Sequence, residues 1–223
     1  MRRLSIISVA AAIVITTLSG CVASAGTKLS QSYVPTSVVN APVEVAQTSE
    51  GKVAYRAVSA GPTLLLIMGY AGTMETWGPY FVDSLARHFR VIIFDNAGIG
   101  GTSSVGTPLS IDVMADQTSA LISALHLGSP DVLGWSMGTM IAQALAILHP
   151  SQVRRLILCA TYPGNGDATQ PSQKDIAALT GSNAKAARLD LFPSNQLVAA
   201  AAFNGSVAAY PASSTAPASV IAA

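Results

Sequence analysis

Residues 134–138 read Gly134-Trp135-Ser136-Met137-Gly138, a serine with a glycine two positions away on either side. Glycines at that spacing allow a sharp turn from strand to helix, which lifts the serine hydroxyl clear of its neighbours. A hydroxyl so placed can attack an acyl carbon, once a histidine takes its proton and a carboxylate holds that histidine. The sequence contains three histidines, His88, His126 and His149. His88 falls at the solvent end of a helical pattern just before a strand. His126 closes the helix that precedes the serine's strand, at the far end of that strand. His149 follows Ser136 by about 18 Å of helix at 1.5 Å per residue. None of the three is expected to reach the hydroxyl.

The elements that must position Ser136 are legible as alternating apolar runs and helical patterns, the mark of a parallel sheet covered on both faces. "KVAYRAV" (52–58) alternates and predicts a half-exposed strand. "TLLLIMG" (63–69) and "VIIFD" (91–95) are continuously apolar, as strands buried on both faces should be. Between them, Trp77, Tyr80, Phe81, Leu85 and Phe89 fall on one helical stripe. A glycine-rich loop follows Asp95. Ser110 is placed to cap a helix carrying Ile111, Met114, Ala115, Leu121, Ile122 and Leu125, with Gly128 just past its end. "DVLGW" (131–135) is the strand that delivers Ser136, and 137–148 is apolar nearly all round, predicting a buried helix ended by Pro150. "VRRLILCAT" (153–161) is a further strand, in which Cys159 is expected to pack in the core as a small hydrophobe. Two short helical patterns follow at 174–181 and 184–192. The Ala-, Ser- and Pro-rich remainder shows no strand.

Composition limits what the chain can bind. Its 223 residues are 50% hydrophobic and 10% charged, with a formal net charge of +1 and no basic block. A nucleic acid partner therefore has no electrostatic basis. No metal-ligand spacing occurs, and no cofactor is expected. At the front, Arg2 and Arg3 precede an uncharged run from Leu4 to Gly20, the pattern of an export signal. Leu18-Ser19-Gly20-Cys21 resembles the lipobox of bacterial lipoproteins, which implies cleavage after residue 20 and a lipid on Cys21. A doubly acylated cysteine holds a protein stably on a membrane surface, here in the bacterial cell envelope. An uncleaved anchor helix and a plain secretory peptide are the alternatives. Residues 21–34 would be a flexible tether.

Three segments, in order, resemble the α/β-hydrolase fold over roughly residues 35–163. "LLLIMGYAGTMETW" sits where that family has a strand and its oxyanion loop, with Met68-Gly69 in place of the usual His-Gly. "VIIFDNAGIGGTS" is similar to the family's D-x-R-G-x-G-x-S turn, with Ala97 in place of the arginine. "VLGWSMG" is the nucleophile turn itself. The resemblance implies an α/β fold, a mostly parallel sheet with helices on both faces. It assigns the oxyanion contacts to the amides of Met137 and Tyr70. It also implies an order of serine, acid and histidine, the last two beyond strands that this chain does not show. Asp167 is the only acid soon after residue 161, and in a loop rich in turn formers it reads more readily as a solvent-exposed turn residue. The fold is thus expected to be incomplete at its C-terminus, with 164–223 a partial cap region and low-complexity tail. The function implied is that of a serine hydrolase of the esterase type, acting on an ester-like small molecule and inactive in this form. A non-catalytic, lipid-anchored envelope binding protein is the alternative.

Overall fold

The computed structural model describes residues 37–105, 108–161, 172, 173, 177 and 195–210. The aliphatic runs become strands because each buries one side against helices and the other against the opposite layer. Six strands form one sheet: β1 (Glu44–Thr48), β2 (Gly51–Val58), β3 (Thr63–Ile67), β4 (Arg90–Phe94), β5 (Asp131–Trp135) and β6 (Arg155–Cys159). Their order across the sheet is β1-β2-β4-β3-β5-β6. β1 and β2 pair antiparallel, as do β2 and β4, while β4, β3, β5 and β6 run parallel. The parallel strands consequently finish along one edge, at Phe94, Ile67, Trp135 and Cys159. Among the described residues there is no helix long and apolar enough to cross a membrane.

Strand periodicity splits the core in two. Leu64, Leu66, Met68, Val91, Ile93 and Leu133 face one side, against Met74, Trp77 and Val82. Met74 and Trp77 belong to a 3₁₀ turn (Met74–Trp77), and Val82 to helix α1 (Pro79–Leu85). The residues between them in sequence, Leu65, Ile67, Ile92 and Val132, face the other side. There they meet Leu121 and Ile122 of α2 (Ile111–Ala124) and Ile141, Ala142 and Leu145 of α3 (Met137–Leu148). The last described helix is α4 (Leu197–Val207), in the Ala-, Ser- and Pro-rich stretch where no strand was expected.

Several expectations need correction. The 77–89 stripe is not one helix: Gly78 at φ 68° separates the 3₁₀ turn from α1, and Tyr80 is 84% exposed. β2 is not half-exposed, because β1 and β4 flank it and Val53 to Arg56 are all buried. α3 is buried on one face only, with Ile147 76% exposed. Cys159 is exposed rather than packed in the core, since β6 is the end strand among the described residues and receives cover mainly from β5 and α3. α2 starts as expected, Ser110 Oγ accepting the Val113 N–H. It ends, however, on His126 at φ 52°, not on Gly128. The His126 N–H donates to Ser123 and the Leu127 N–H to Ile122, which satisfies the last carbonyls of the helix. The helical patterns at 174–181 and 184–192, Asp167, and residues 1–34 with Cys21 lie essentially outside the described residues.

Candidate active site

Ser136 is the single residue between the end of β5 and the start of α3, and it takes φ 54° with ψ −125°. Positive φ with strongly negative ψ lies outside every region that suits a side chain, so the surrounding structure must impose it. Two glycines make that possible. A methyl at Gly138 would overlap the Ile67 carbonyl, and one at Gly134 would overlap the Gly138 backbone and stand 2.8 Å from Thr139 Cα. Both overlaps are with main chain, so α3 can cross this close to β3 and β5 only without those side chains. The Ser136 N–H donates to the Cys159 carbonyl at 3.0 Å, tying the turn to the end of β6. The serine side chain is exposed above the carboxyl edge of the sheet.

Gly69 follows β3 and lies directly against the serine: a methyl there would stand 3.0 Å from Ser136 Cβ. The next residue is Tyr70, 44% exposed. Tyr70 and Met137 line the same cavity, together with Asn96, Ala97 and Met114. Met137 is the first residue of α3, where main-chain N–H groups have no partner inside the helix. The positive end of the helix dipole also points here. The sequence-predicted trio of Ser136, Tyr70 and Met137 is thus brought together at one sheet edge. An oxyanion formed at Ser136 would find a helix start on one side and a tight turn on the other.

The turn beyond Tyr70 is held by groups that sequence reading passed over. Asp95, fully buried at the end of β4, accepts the Met74 N–H on Oδ1 at 2.8 Å and the Gly101 N–H on Oδ2 at 3.1 Å. Burial pushes its carboxyl up to about 6, against the pull of those two N–H donors. Asn96 Nδ2 donates to the Met68 carbonyl at 2.8 Å, fixing the residue just before Gly69. Arg56 and Glu75 form a buried ion pair with N···O 3.5 Å, and the Tyr210 ring lies 5.5 Å from the Arg56 guanidinium carbon. The visible hint of this scaffold was an acidic residue at a strand end, followed by glycines. The Met74–Asp95 and Asn96–Met68 bonds span 21 and 28 residues, which no local pattern encodes.

The three histidines all sit at the opposite, amino edge of the sheet. His88 is exposed two residues before β4, and His126 is exposed five residues before β5. His149 ends α3, where its Nε2 meets Asp116 Oδ1 at 2.7 Å. A strand of five residues rising about 3.3 Å each separates the two edges by roughly 16 Å. None can take the Ser136 proton.

Residues 62–216 match the alpha/beta hydrolase fold family. The chain belongs to that family, as its sheet order and helix layers also indicate. It is 38% identical over 109 residues to a Mycobacterium tuberculosis protein named as a non-heme bromoperoxidase, a match covering 48% of this chain and 41% of that one. Against the pyrrolizixenacetamide deacetylase of Xenorhabdus hominickii it is 30% identical over 131 residues, 58% and 49% of the two chains. Among solved structures, an alpha/beta hydrolase fold protein from Chitinophaga pinensis superposes with a TM-score of 0.63 at 25% identity. That superposition covers 83% of this chain and 70% of that one. The chain spans about half the length of the curated relatives it matches.

Proposed function

We propose that Ser136 is the nucleophile of a hydrolase that splits carboxylic esters or related acyl compounds. In this reading the hydroxyl oxygen adds to the acyl carbon, the alcohol or amine leaves with a proton, and water then releases the acid from the acyl-enzyme. The amides of Met137 and Tyr70 stabilise the negative oxygen in both steps. The observation that carries the reading is the backbone of Ser136 itself, held at positive φ where two glycines make room for it. Relatives named as a deacetylase and a methyl ester esterase support acyl transfer as the chemistry. Because all three histidines lie at the wrong edge, the proton acceptor is not a histidine of this sequence, and the 223-residue chain is expected to hydrolyse esters only slowly.

The test is hydrolysis of p-nitrophenyl acetate with imidazole added as an external base. At each imidazole concentration the wild-type rate should exceed the protein-free rate, while Ser136→Ala matches the protein-free rate at the same concentration. Equal rates for both would remove the serine mechanism and leave a non-catalytic binding role. Export and anchoring follow the same logic. The basic start, the uncharged run and Leu18-Ser19-Gly20-Cys21 support lipidation of Cys21 and attachment to the cell envelope. Incorporation of labelled palmitate into the wild type but not Cys21→Ala checks this.

A further inference from the structure

A second cavity, of about 540 Å³, lies at the carboxyl end of β5, against Leu133 and Trp135. Its lining includes Met68, Trp77, Phe81, Leu133, Trp135 and Ala202 of α4, and Cys159 also borders it. The origin of this lining is the alternation along β5: Leu133 and Trp135 face this layer, and Val132 faces the helices behind. Trp77 and Phe81 stack with ring centroids 5.6 Å apart at 15°, forming one flat wall. Among the described residues, no Asp, Glu, Lys, Arg or His lines the cavity. The cavity borders the serine's immediate neighbours: Trp135 precedes Ser136 in the chain, and the Cys159 carbonyl accepts the Ser136 N–H.

We infer that this cavity binds a neutral hydrocarbon group, the apolar part of the ester whose carbonyl meets Ser136. The inference deepens the hydrolase reading and rests on it for the position of the carbonyl. Its volume lies within the range of small-molecule sites, about 300–1,000 Å³. Each buried methylene contributes about 0.8 kcal/mol, which is roughly a fourfold change in the dissociation constant. A terminal carboxylate would meet no cation among these lining residues and would lose its hydration there. The specificity that follows is for uncharged chains, against substrates carrying a second acid group.

The chain supplies its own reporter, because its two tryptophans, Trp77 and Trp135, both line this cavity. The full chain is titrated with straight-chain alkan-1-ols of four to ten carbons while tryptophan emission is followed. The expected result is saturable binding that tightens about fourfold per methylene. ω-Hydroxyalkanoates of matching length should bind at least a hundredfold more weakly. Ser136→Ala should bind the alcohols as the wild type does. Phe81→Glu and Ala202→Glu alter half-exposed or exposed positions at the rim, so both should fold and both should abolish the dependence on chain length. No saturable change, a constant independent of length, or equal binding of the ω-carboxylates would overturn the assignment. A failure here with Ser136 still reactive toward p-nitrophenyl acetate removes the cavity assignment alone. Chain-length-dependent binding with an unreactive Ser136 would leave the cavity and remove the hydrolase reading.

Discussion

At most positions, replacing alanine by glycine weakens a protein; at position 136 the reverse is expected. Ser136 holds φ 54° and ψ −125°, a combination that glycine adopts freely and that costs a residue with Cβ about 1–3 kcal/mol. Glycine returns about 0.5–1 kcal/mol of this through its greater freedom in the unfolded chain. Ser136→Gly should therefore be more stable than Ser136→Ala by about 0.5–2 kcal/mol. In a domain of this size that is a difference of roughly 1–8 °C in melting temperature. Comparing the two variants cancels the loss of the hydroxyl, which is common to both. Chemical denaturation with matched slopes, or calorimetry, gives the difference directly. Gly205 in α4 serves as the control, since a methyl there meets nothing within 4 Å. Gly205→Ala should leave stability unchanged or raise it by up to about 1 kcal/mol. If Ser136→Gly were equal to or weaker than Ser136→Ala, the serine backbone would not be strained, and the reasoning from that strain would fail.

Further expectations follow from the same scaffold. Gly138→Ala should cost about 3 kcal/mol, since its methyl would overlap the Ile67 carbonyl and approach the Met68 carbonyl to 2.8 Å; urea midpoints decide it. Asp95 has a folded value of about 6 against an ordinary carboxyl near 3.9, so the fold favours its protonated form. Its contribution is largest at low pH and declines by about 3 kcal/mol as pH rises from about 4 to 6, with no further change above. The stability difference between wild type and Asp95→Asn should thus move in the wild type's favour as pH falls through that window. A pH-independent difference would contradict the burial of the charge. Cys159 is free and exposed, so iodoacetamide should alkylate it without denaturant; protection until unfolding would return it to the core.

Much of this architecture is legible in the residues. β3, β4 and β5 are uninterrupted aliphatic runs because both faces of each are covered, and Gly134 to Gly138 mark the junction that carries the serine. β1 is not legible, since in "EVAQT" only Ala46 is buried and the strand rests on pairing with β2. The Leu156-Ile157-Leu158 run of β6 looks like a central strand, yet Leu156 and Ile157 are exposed; hydrophobicity alone cannot say which neighbours a strand will have. The break at Gly78 was hidden because the aromatic spacing on either side suits a helix, and a single glycine at positive φ overrides it. The apolar cavity was equally hidden: Trp77 and Trp135 line one cavity because β3, which precedes Trp77, pairs directly with β5, which ends at Trp135. Of the site itself, the serine and its two amide neighbours were readable from motif order. The Met74–Asp95 and Asn96–Met68 contacts around the turn beyond Tyr70 were not, because they join side chains to main chain 21 and 28 residues away.

The most direct measurement is the site and rate of adduct formation with a fluorophosphonate, read by peptide mass spectrometry with and without imidazole. The account predicts a single adduct on Ser136, slow alone, accelerated in proportion to the imidazole present, and missing from Ser136→Ala. An adduct on another residue, or none on Ser136 at any imidazole concentration in folded protein, would contradict it.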